Sequence, residues 1–367
     1  MTAISTECHP VPPGLRMTDM TARRYELLDR ALSLGVVPDA ALRLGSRLSA
    51  WNRERNEARG GVEAQERRGA DIVAHMSTGP VAELPAKANE QHYELPADFM
   101  ALFMGPRRKY SCCYWPAGVD TLDAAEDAML RLTCERARIA DGMQILDLGC
   151  GWGALSLWMA EHYDVRIVAV SNSQSQRAWI EAERDRRGLT EKLEVITADV
   201  NEFEPEGSFD RVVSVEMFEH MRNWKELLRR ISTWLKPDGL LFVHVFSHRS
   251  LAYRFAGTWA SERFFTAGTM PSHDLLLRFG EDFAVRERWA LDGSHYAKTL
   301  AAWLDRFDAR RDEALAILRR DRSESEARRL VATWRLFFIS TKEIWSWRRG
   351  NAWMVSHYLL DPSPTQR

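Results

Sequence analysis

The sequence predicts an α/β fold, a seven-stranded mixed sheet with helices on both faces, preceded by a helical N-terminal extension. From residue 144 onward, short apolar runs alternate with longer segments whose apolar residues recur at helical spacing. The first run, Gln144 to Leu148, breaks into glycines two residues apart, which is typical of a buried parallel strand that enters a tight turn. The apolar spacing of ALSLWMAEHY after the turn predicts a helix whose N-terminus faces a ligand.

The other elements are justified in chain order. Helical spacing from Thr21 to Asn56, broken at Gly35 and Pro38, predicts two helices, and the charge-dense residues 53–70 are interpreted as a solvated hinge. The chain is thus divided into a helical extension, residues 1–70, and a main α/β domain, residues 71–367. Further helices are predicted at 122–139, 174–187, 223–235 and 300–320. Further strands are predicted at 166–170, 193–197, 209–215, 240–245, 283–291 and 353–360, the last two antiparallel.

The composition narrows the function classes. A formal net charge of -2 and a pI of about 6.6 do not indicate a nucleic-acid partner or stable association with an anionic membrane. No apolar run approaches the length of a transmembrane helix, and the N-terminus lacks the pattern of a secretory signal. Five cysteines, an odd count without metal-ligand spacing, indicate a reducing compartment. We therefore expect a cytoplasmic protein without a metal site.

The glycine turn has two interpretations, because dinucleotide-binding enzymes use a similar strand-to-helix turn. Asp147 precedes the first glycine, and Gly149, Gly151 and Gly153 follow the spacing G-x-G-x-G rather than G-x-G-x-x-G. These details resemble motif I of class I S-adenosylmethionine-dependent methyltransferases, whose cofactor has no pyrophosphate for the turn to bind. A glycine turn with a purely structural role is the remaining alternative.

Glu216, Glu219 and His220 form the densest group of ionisable residues at the predicted C-terminal edge of the sheet. A helix beginning at Met217 would place them on one face. Two carboxylates and an imidazole should then couple, raising the pKa of at least one carboxyl. This group is the predicted catalytic centre. The alternative is a helix N-terminus whose acids only complement the helix dipole.

A second group lies at the end of the fifth predicted strand, where His244, Phe246 and His248 alternate with a period of two and should point to one side. We expect them in the substrate pocket, although buried histidines more often serve packing alone. A zinc site made from these histidines and His220 is a weaker alternative, because the spacing H-E-x-x-H is absent. The aromatic residues at 334–345 are interpreted as core, with an aromatic box for a cation as the alternative.

Eight motifs resemble one family in order and spacing. They are YSCCYW, LDLGCGWG, VSNSQSQ, SVEMFEHM, HVFSH, ERFFTAGTMPS, YAKTLAAW and NAWMVSHYLL. Over residues 70–360 the chain is similar to the cyclopropane fatty acid synthase superfamily of methyltransferases. Within that superfamily it resembles the coclaurine N-methyltransferase branch, which methylates tetrahydroisoquinoline amines. The resemblance implies a class I, Rossmann-like methyltransferase fold and S-adenosyl-L-methionine as the cofactor.

The resemblance also implies which residues contact the cofactor and which hold the substrate. The implied cofactor contacts, besides Asp147 of the turn, are Tyr110, Ser111, Gly149, Gly151, Gly153, Ser171, Asn172, Gln176, Asp199, Val200 and Val215. Cyclopropane synthases resemble this chain at the positions that hold a bicarbonate, which are Cys112, Glu219, His244 and Tyr296. Glu216 and Phe246 resemble the amine branch instead. A carboxylate beside the bicarbonate site would repel that anion and attract an ammonium.

We therefore expect an N-methyltransferase whose amine substrate attacks the sulfonium methyl group in line. Glu219 and His220 are expected to remove the amine proton, while Glu216 attracts the ammonium. The expected pocket residues are Cys112, His244, Phe246, His248 and Tyr296. The expected partners are a small-molecule amine and a second copy of the chain in a homodimer. The alternatives are a cyclopropane synthase or related acyl-chain methyltransferase, and a non-catalytic cofactor-binding protein.

Overall fold

The computed structural model describes residues 17–83, 95–265 and 267–363, with side chains from residue 25 onward in those ranges. The chain begins there with helices α1 (Met17–Ser33), α2 (Asp39–Glu57) and α3 (Gly61–His75), so the two helices predicted around Gly35 and Pro38 are present. The predicted hinge at 53–70 is wrong. Only residues 58–60 interrupt the helices, because pairs such as Arg53 and Glu57, 3.0 Å apart, let a charge-dense segment stay helical.

The strands follow in the predicted order. They are β1 (Gln144–Leu148), β2 (Arg166–Ser171), β3 (Leu193–Thr197), β4 (Phe209–Val215), β5 (Leu235–His248), β6 (Tyr253–Arg254), β7 (Thr269–Met270), β8 (Phe283–Asp292) and β9 (Trp353–Pro362). Within the described ranges, seven of them form one sheet in the order β3-β2-β1-β4-β5-β9-β8. Strands β1 to β5 are parallel, and β9 lies antiparallel to both of its neighbours. The predicted mixed seven-stranded sheet is confirmed, and β6 with β7 forms a small sheet that was not predicted.

Helices cover both faces of the sheet. They are α4 (Ala97–Ala101), α5 (Leu122–Ala137), α6 (Ala154–His162), α7 (Gln174–Arg186), α8 (Trp224–Trp234), α9 (Trp259–Arg263), α10 (Ser294–Ala309), α11 (Arg311–Leu318) and α12 (Glu324–Trp345). Successive residues of β1 point to opposite faces, so Leu146 packs in an apolar cluster with α8 and Ile145 in another with α6. The single helix predicted at 300–320 is wrong, because the non-helical backbone of Arg310 separates α10 from α11.

The N-terminal helices are docked on the C-terminal helix α12. Leu32 and Ala50 belong to the same apolar cluster as Phe337. Glu343 of α12 is buried and accepts hydrogen bonds from Arg43 at 2.9 Å and Arg47 at 2.6 Å, both on α2. Residues almost three hundred positions apart in the sequence therefore share one interface. In the described ranges, none of the helices is both long and apolar enough to cross a bilayer.

Candidate active site

The glycine turn after β1 combines tight packing with an open face. All three glycines have positive φ, 83° at Gly149, 54° at Gly151 and 73° at Gly153. A Cβ at Gly149 would lie 2.7 Å from the Met217 side chain, and one at Gly153 would lie 2.8 Å from Ile180. A Cβ at Gly151 would meet no atom within 4 Å. The outer glycines are therefore required by packing, whereas the middle one faces free space where a ligand can approach the backbone.

A cavity with polar and apolar walls lies against this turn. The predicted cofactor residues in its wall are Tyr110, Ser111, Asp147, Gly149, Gly151, Gln176 and Val215. Two buried hydrogen-bond donors in the same wall, Gln176 Nε2 and Trp152 Nε1, have no hydrogen-bond acceptor within the described part of the chain. Buried donors without acceptors are costly, so a ligand carrying hydroxyl, carboxylate or ring-nitrogen acceptors fits this wall. These observations fit the adenosyl and amino-acid groups of S-adenosylmethionine.

Four other predicted cofactor residues do not line this cavity. Ser171 ends β2 and donates to Gln176 Oε1 at 2.6 Å, which leaves the Gln176 Nε2 group free to point elsewhere. Asn172 is half-buried in the next position. Asp199 and Val200 follow β3, and the Asp199 carboxylate accepts from the Asn201 N–H at 2.8 Å. All four stand at the C-terminal edge of the parallel strands, as predicted.

Asp147 is almost fully buried beneath the turn. Its carboxyl accepts a hydrogen bond from Ser156 Oγ at 2.5 Å. Burial raises the pKa of Asp147 to about 6, against the opposing effect of the Ser156 hydrogen bond. Asp147 thus links the end of β1 to α6 and stiffens the turn on which the cofactor residues stand.

Glu216 lies where the glycine-lined cavity ends, in a backbone conformation that few residues adopt. Its φ is 48°, and its N–H donates to the His244 carbonyl at 2.8 Å, so the strain is held by the end of β5. Its Oε1 accepts from the Cys112 N–H at 2.9 Å and lies 3.2 Å from His244 Nε2. Its Oε2 accepts from the Tyr296 hydroxyl at 2.7 Å. Burial raises the pKa of Glu216, opposed by the Lys109 charge and by the donors from Cys112 and Tyr296.

Glu219 and His220 lie close to Glu216, but not on the predicted helix. The segment Phe218–His220 is one turn of 3₁₀-helix, and α8 begins only at Trp224, because the positive φ of Glu216 interrupts a helical start. Glu219 is fully buried, and neither of its carboxyl oxygens has a hydrogen-bond partner in the described residues. Burial raises its pKa well above the usual value, and the neighbouring Glu216 charge raises it further. The predicted coupling of the two carboxyls is therefore present.

A second cavity, about 430 Å³ and mainly apolar, has Tyr296 in its wall. Phe246 and Tyr296 line it as predicted, and Tyr296 stacks on Trp345 with ring centres 4.5 Å apart. His220 does not line this cavity, but its ring is parallel to that of Phe265, which does, with ring centres 6.3 Å apart. Helix α2 supplies the opposite wall from residues 41–53, which the sequence analysis did not foresee.

Three predicted pocket residues do not line the apolar cavity. Cys112 is buried beside Tyr296, and it is the backbone N–H, not the thiol, that meets Glu216. His244 is fully buried behind Glu216. His248 does not reach the cavity, because its Nδ1 accepts from the N–H groups of Ser250 at 3.1 Å and Leu251 at 3.0 Å and so ends β5. In the described residues, no three His, Cys, Asp or Glu side chains are placed to hold a metal.

The sequence analysis missed two further polar groups of this site. Lys109 is buried at the cofactor cavity, where its Nζ donates to the Cys112 carbonyl at 2.7 Å and to Ser111. His357 of β9 lies 3.0 Å from the second nitrogen of His244. A lysine directly ahead of the YSCCYW motif was the available signal for Lys109. His357 lies within the motif NAWMVSHYLL, but only the sheet order brings it beside His244.

The sheet with its antiparallel β9 beside β5, and the glycine-lined cavity at the C-terminal strand edge, define a class I S-adenosylmethionine-dependent methyltransferase. A family model described as mycolic acid cyclopropane synthetase matches residues 82–347. The chain therefore belongs to the mycolic acid cyclopropane synthetase family, and its cofactor is S-adenosyl-L-methionine. The recognition made from the eight motifs is confirmed.

Relatives of two kinds match the chain over different lengths. It is 38% identical to an (S)-coclaurine N-methyltransferase of Thalictrum flavum subsp. glaucum over 356 residues, which cover 95% of this chain and 98% of the relative. It is 33% identical to the cyclopropane-fatty-acyl-phospholipid synthase of Escherichia coli strain K12 over 220 residues, covering 59% and 56%. A crystal structure of coclaurine N-methyltransferase bound to N-methylheliamine and SAH covers 92% of this chain and 99% of its own, with 36% identity and a TM-score of 0.88.

The free space beside Gly151 gives a test of the cofactor site. Gly151→Ala should weaken binding of S-adenosylhomocysteine at least about tenfold, because the new methyl group enters the ligand's space. Gly118→Ala is the matched control, since Gly118 also has positive φ, 84°, and open space around it but lies away from the cavity. Both variants should lose about 1–3 kcal/mol of folding stability to backbone strain. Calorimetric dissociation constants that were equal for the two variants would contradict the assignment.

Proposed function

We propose that this methyltransferase transfers the methyl group to the nitrogen of a small, aromatic, tetrahydroisoquinoline-like amine. The observation that carries the proposal is the position of Glu216. Glu216 is in the wall of the cofactor cavity, and Tyr296 is in the wall of the apolar cavity. The Tyr296 hydroxyl donates to Glu216 Oε2 at 2.7 Å and so joins the two walls. A negative charge at the junction of the two cavities attracts a cationic amine whose apolar body fills the second cavity.

The shape and lining of the apolar cavity support a flat aromatic body rather than a flexible chain. Nine aromatic rings contribute to it: Phe246, Tyr253, Phe255, Trp259, Phe265, Tyr296, Phe337, Trp345 and Trp353. Aromatic walls offer edge and face contacts to a fused ring system and favourable contact to a cation. Two relatives that match 95% and 93% of this chain are named (S)-coclaurine N-methyltransferase, which supports the same substrate class.

The chain's own residues supply positioning and proton removal. The bound cofactor supplies an electrophilic methyl group on a sulfonium. An amine near neutral pH is mostly an ammonium without a free lone pair, so a base must take its proton before transfer. We assign that role to Glu219, assisted by His220, while Glu216 orients the ammonium. The raised pKa of Glu219 suits a base that must accept a proton from a weakly acidic ammonium.

The resting charge of the site is consistent with this assignment. The buried Lys109 lowers the pKa of Glu216, whereas burial and the neighbouring Glu216 charge raise the pKa of Glu219, so the protonated form is favoured more at Glu219 than at Glu216. An arriving ammonium adds a positive charge to the same site. That charge favours the ionised form of Glu219, whose own proton must be lost to solvent before the carboxylate can accept the proton of the ammonium.

Product mass separates the two reactions of the family. The purified protein with S-adenosylmethionine should add one methyl group to members of a tetrahydroisoquinoline amine panel. It should leave unsaturated phospholipid vesicles unchanged. A methylene added to the lipid with no amine product would assign the chain to cyclopropanation, the alternative that the Escherichia coli relative represents.

Glu219→Gln tests the base. It keeps the volume of the buried side chain but cannot accept a proton, so kcat should fall by about 10²–10⁴ with little change in cofactor affinity. In the wild type, kcat should rise with pH on an acid limb above the ordinary carboxyl range, because a base with a raised pKa is ionised only at higher pH. The exposed Glu281→Gln is the matched control. A Glu219→Gln enzyme with unchanged kcat would remove Glu219 from the mechanism.

The proposal includes a homodimer and a reducing compartment such as the cytoplasm. Leu44, Leu48 and Trp51 form an exposed apolar stripe at helical spacing on α2, which supports contact with a second copy. The described cysteines are all free thiols, which supports the compartment. Sedimentation at micromolar concentration should give a dimer for the wild type and a monomer for Leu48→Glu. A wild-type monomer would overturn the homodimer.

A further inference from the structure

A series of hydrogen-bonding groups connects Glu216, through His244 and His357, to Arg136. His244 Nε2 lies 3.2 Å from Glu216 Oε1, and His244 Nδ1 lies 3.0 Å from His357 Nε2. His357 Nδ1 in turn lies 2.8 Å from Arg136 Nη1. Both histidines are completely buried, and they face each other from the paired strands β5 and β9. Arg136, on α5, is half-buried.

The arginine at one end of this series determines which atom donates and which accepts in each hydrogen bond. A guanidinium donates hydrogen bonds and accepts none, so His357 Nδ1 must be the acceptor. Burial lowers the pKa of both histidines well below the usual value, so each carries a single ring proton. His357 therefore has its proton on Nε2 and donates to His244 Nδ1. His244 must then carry its proton on Nε2 as well, where it donates to Glu216.

The opposite tautomers of the two histidines would change the protonation state of Glu216. If both imidazoles carried their protons on Nδ1, His244 Nε2 would be an acceptor, and Glu216 would have to be a neutral acid to meet it. Arg136 excludes that order. No ion pair of Arg136 with a carboxylate is present in the described residues, and its guanidinium rests on the Trp289 ring at 4.9 Å. Its donors are thus available to His357.

We propose that Arg136 and His357 are positioning residues that fix the tautomer of His244, so that Glu216 is kept as a carboxylate ready to receive an ammonium. The carboxyl is faced by groups from each element around it: Lys109 and Cys112 from the segment before α5, Glu219 and His220 from the 3₁₀ turn, His244 from β5 and Tyr296 from α10. Among these groups, His244 donates to Glu216 or accepts from it according to its tautomer, and residues outside the site, His357 and Arg136, determine that tautomer. The part of the proposal that concerns the ammonium rests on the proposed function.

The tautomers can be read without any reaction. In protein labelled with ¹⁵N-histidine, long-range ¹H–¹⁵N spectra distinguish Nε2–H from Nδ1–H rings, and assignment uses His244→Gln and His357→Gln. Wild-type His244 and His357 should both be neutral Nε2–H tautomers across neutral pH. Arg136→Met, which removes the donors, should release His357 and move His244 toward Nδ1–H. Arg136→Lys should retain the wild-type pattern, and the exposed Arg131→Met on the same helix is the control.

Kinetics give the second measurement. Arg136→Met removes the His244 donor, so the acid limb of the pH profile of kcat/KM for the amine should move up by about one pH unit. At a fixed pH on that limb, kcat/KM should fall about tenfold, and raising the pH should restore it. The loss should be in amine KM, with S-adenosylhomocysteine affinity unchanged, and Arg136→Lys should restore the profile. A structural effect alone would lower activity equally at all pH values.

Two results would overturn the inference: wild-type tautomers that differ from Nε2–H on both rings, or an Arg136→Met protein that keeps the wild-type tautomers and pH profile. Absence of methyl transfer to every amine would instead reject the proposed function. The spectra of the resting protein would still decide the tautomers in that case.

Discussion

The structure depends on keeping an acidic side chain buried at the junction of two cavities. An ionised carboxylate taken from water into a protein interior is costly unless hydrogen-bond donors surround it. Glu216 obtains them from three separate elements, through the Cys112 N–H, the Tyr296 hydroxyl and the His244 ring. Its strained backbone is held by the His244 carbonyl. The segment before α5, the end of β5 and the start of α10 are consequently fixed relative to one another by one side chain.

The N-terminal helices form part of the candidate active site. Helix α2 forms one wall of the aromatic cavity, and its contact with α12 joins buried apolar residues to the buried Glu343 with its two arginine partners. A catalytic sheet without α2 would leave that cavity open to water. Water at the junction would weaken the attraction between Glu216 and a bound ammonium, because charge interactions fall as the local dielectric rises. The cover therefore contributes to charge recognition as well as to shape.

The sequence was sufficient for the parts of the molecule that local pattern determines. Strands β1, β3 and β4 have the predicted bounds, because a buried strand between turn residues is visible over a few positions. The helix expected at Met217 was wrong, since the positive φ of Glu216 depends on a bond to β5 that local sequence does not reveal. His357 and Arg136 were missed for the same reason. Arg136 and His357 lie 221 positions apart, and His357 meets His244 only because β9 lies beside β5.

The two glutamates have unlike surroundings, and that contrast divides the work between them. Glu216, whose side chain is 8% exposed, is surrounded by donors, whereas Glu219 is fully buried and its carboxyl oxygens have no hydrogen-bond partner in the described residues. When two nearby carboxyls share one proton, the proton goes to the one whose ionised form is less stabilised, which here is Glu219. In the proposed mechanism, Glu216 thus provides a fixed charge, and Glu219 provides the proton acceptor that ionises when a cation arrives. Exchanging the surroundings would exchange these proposed roles, so the donors around Glu216, including the His244 ring in its proposed tautomer, determine which glutamate is suited to act as the base.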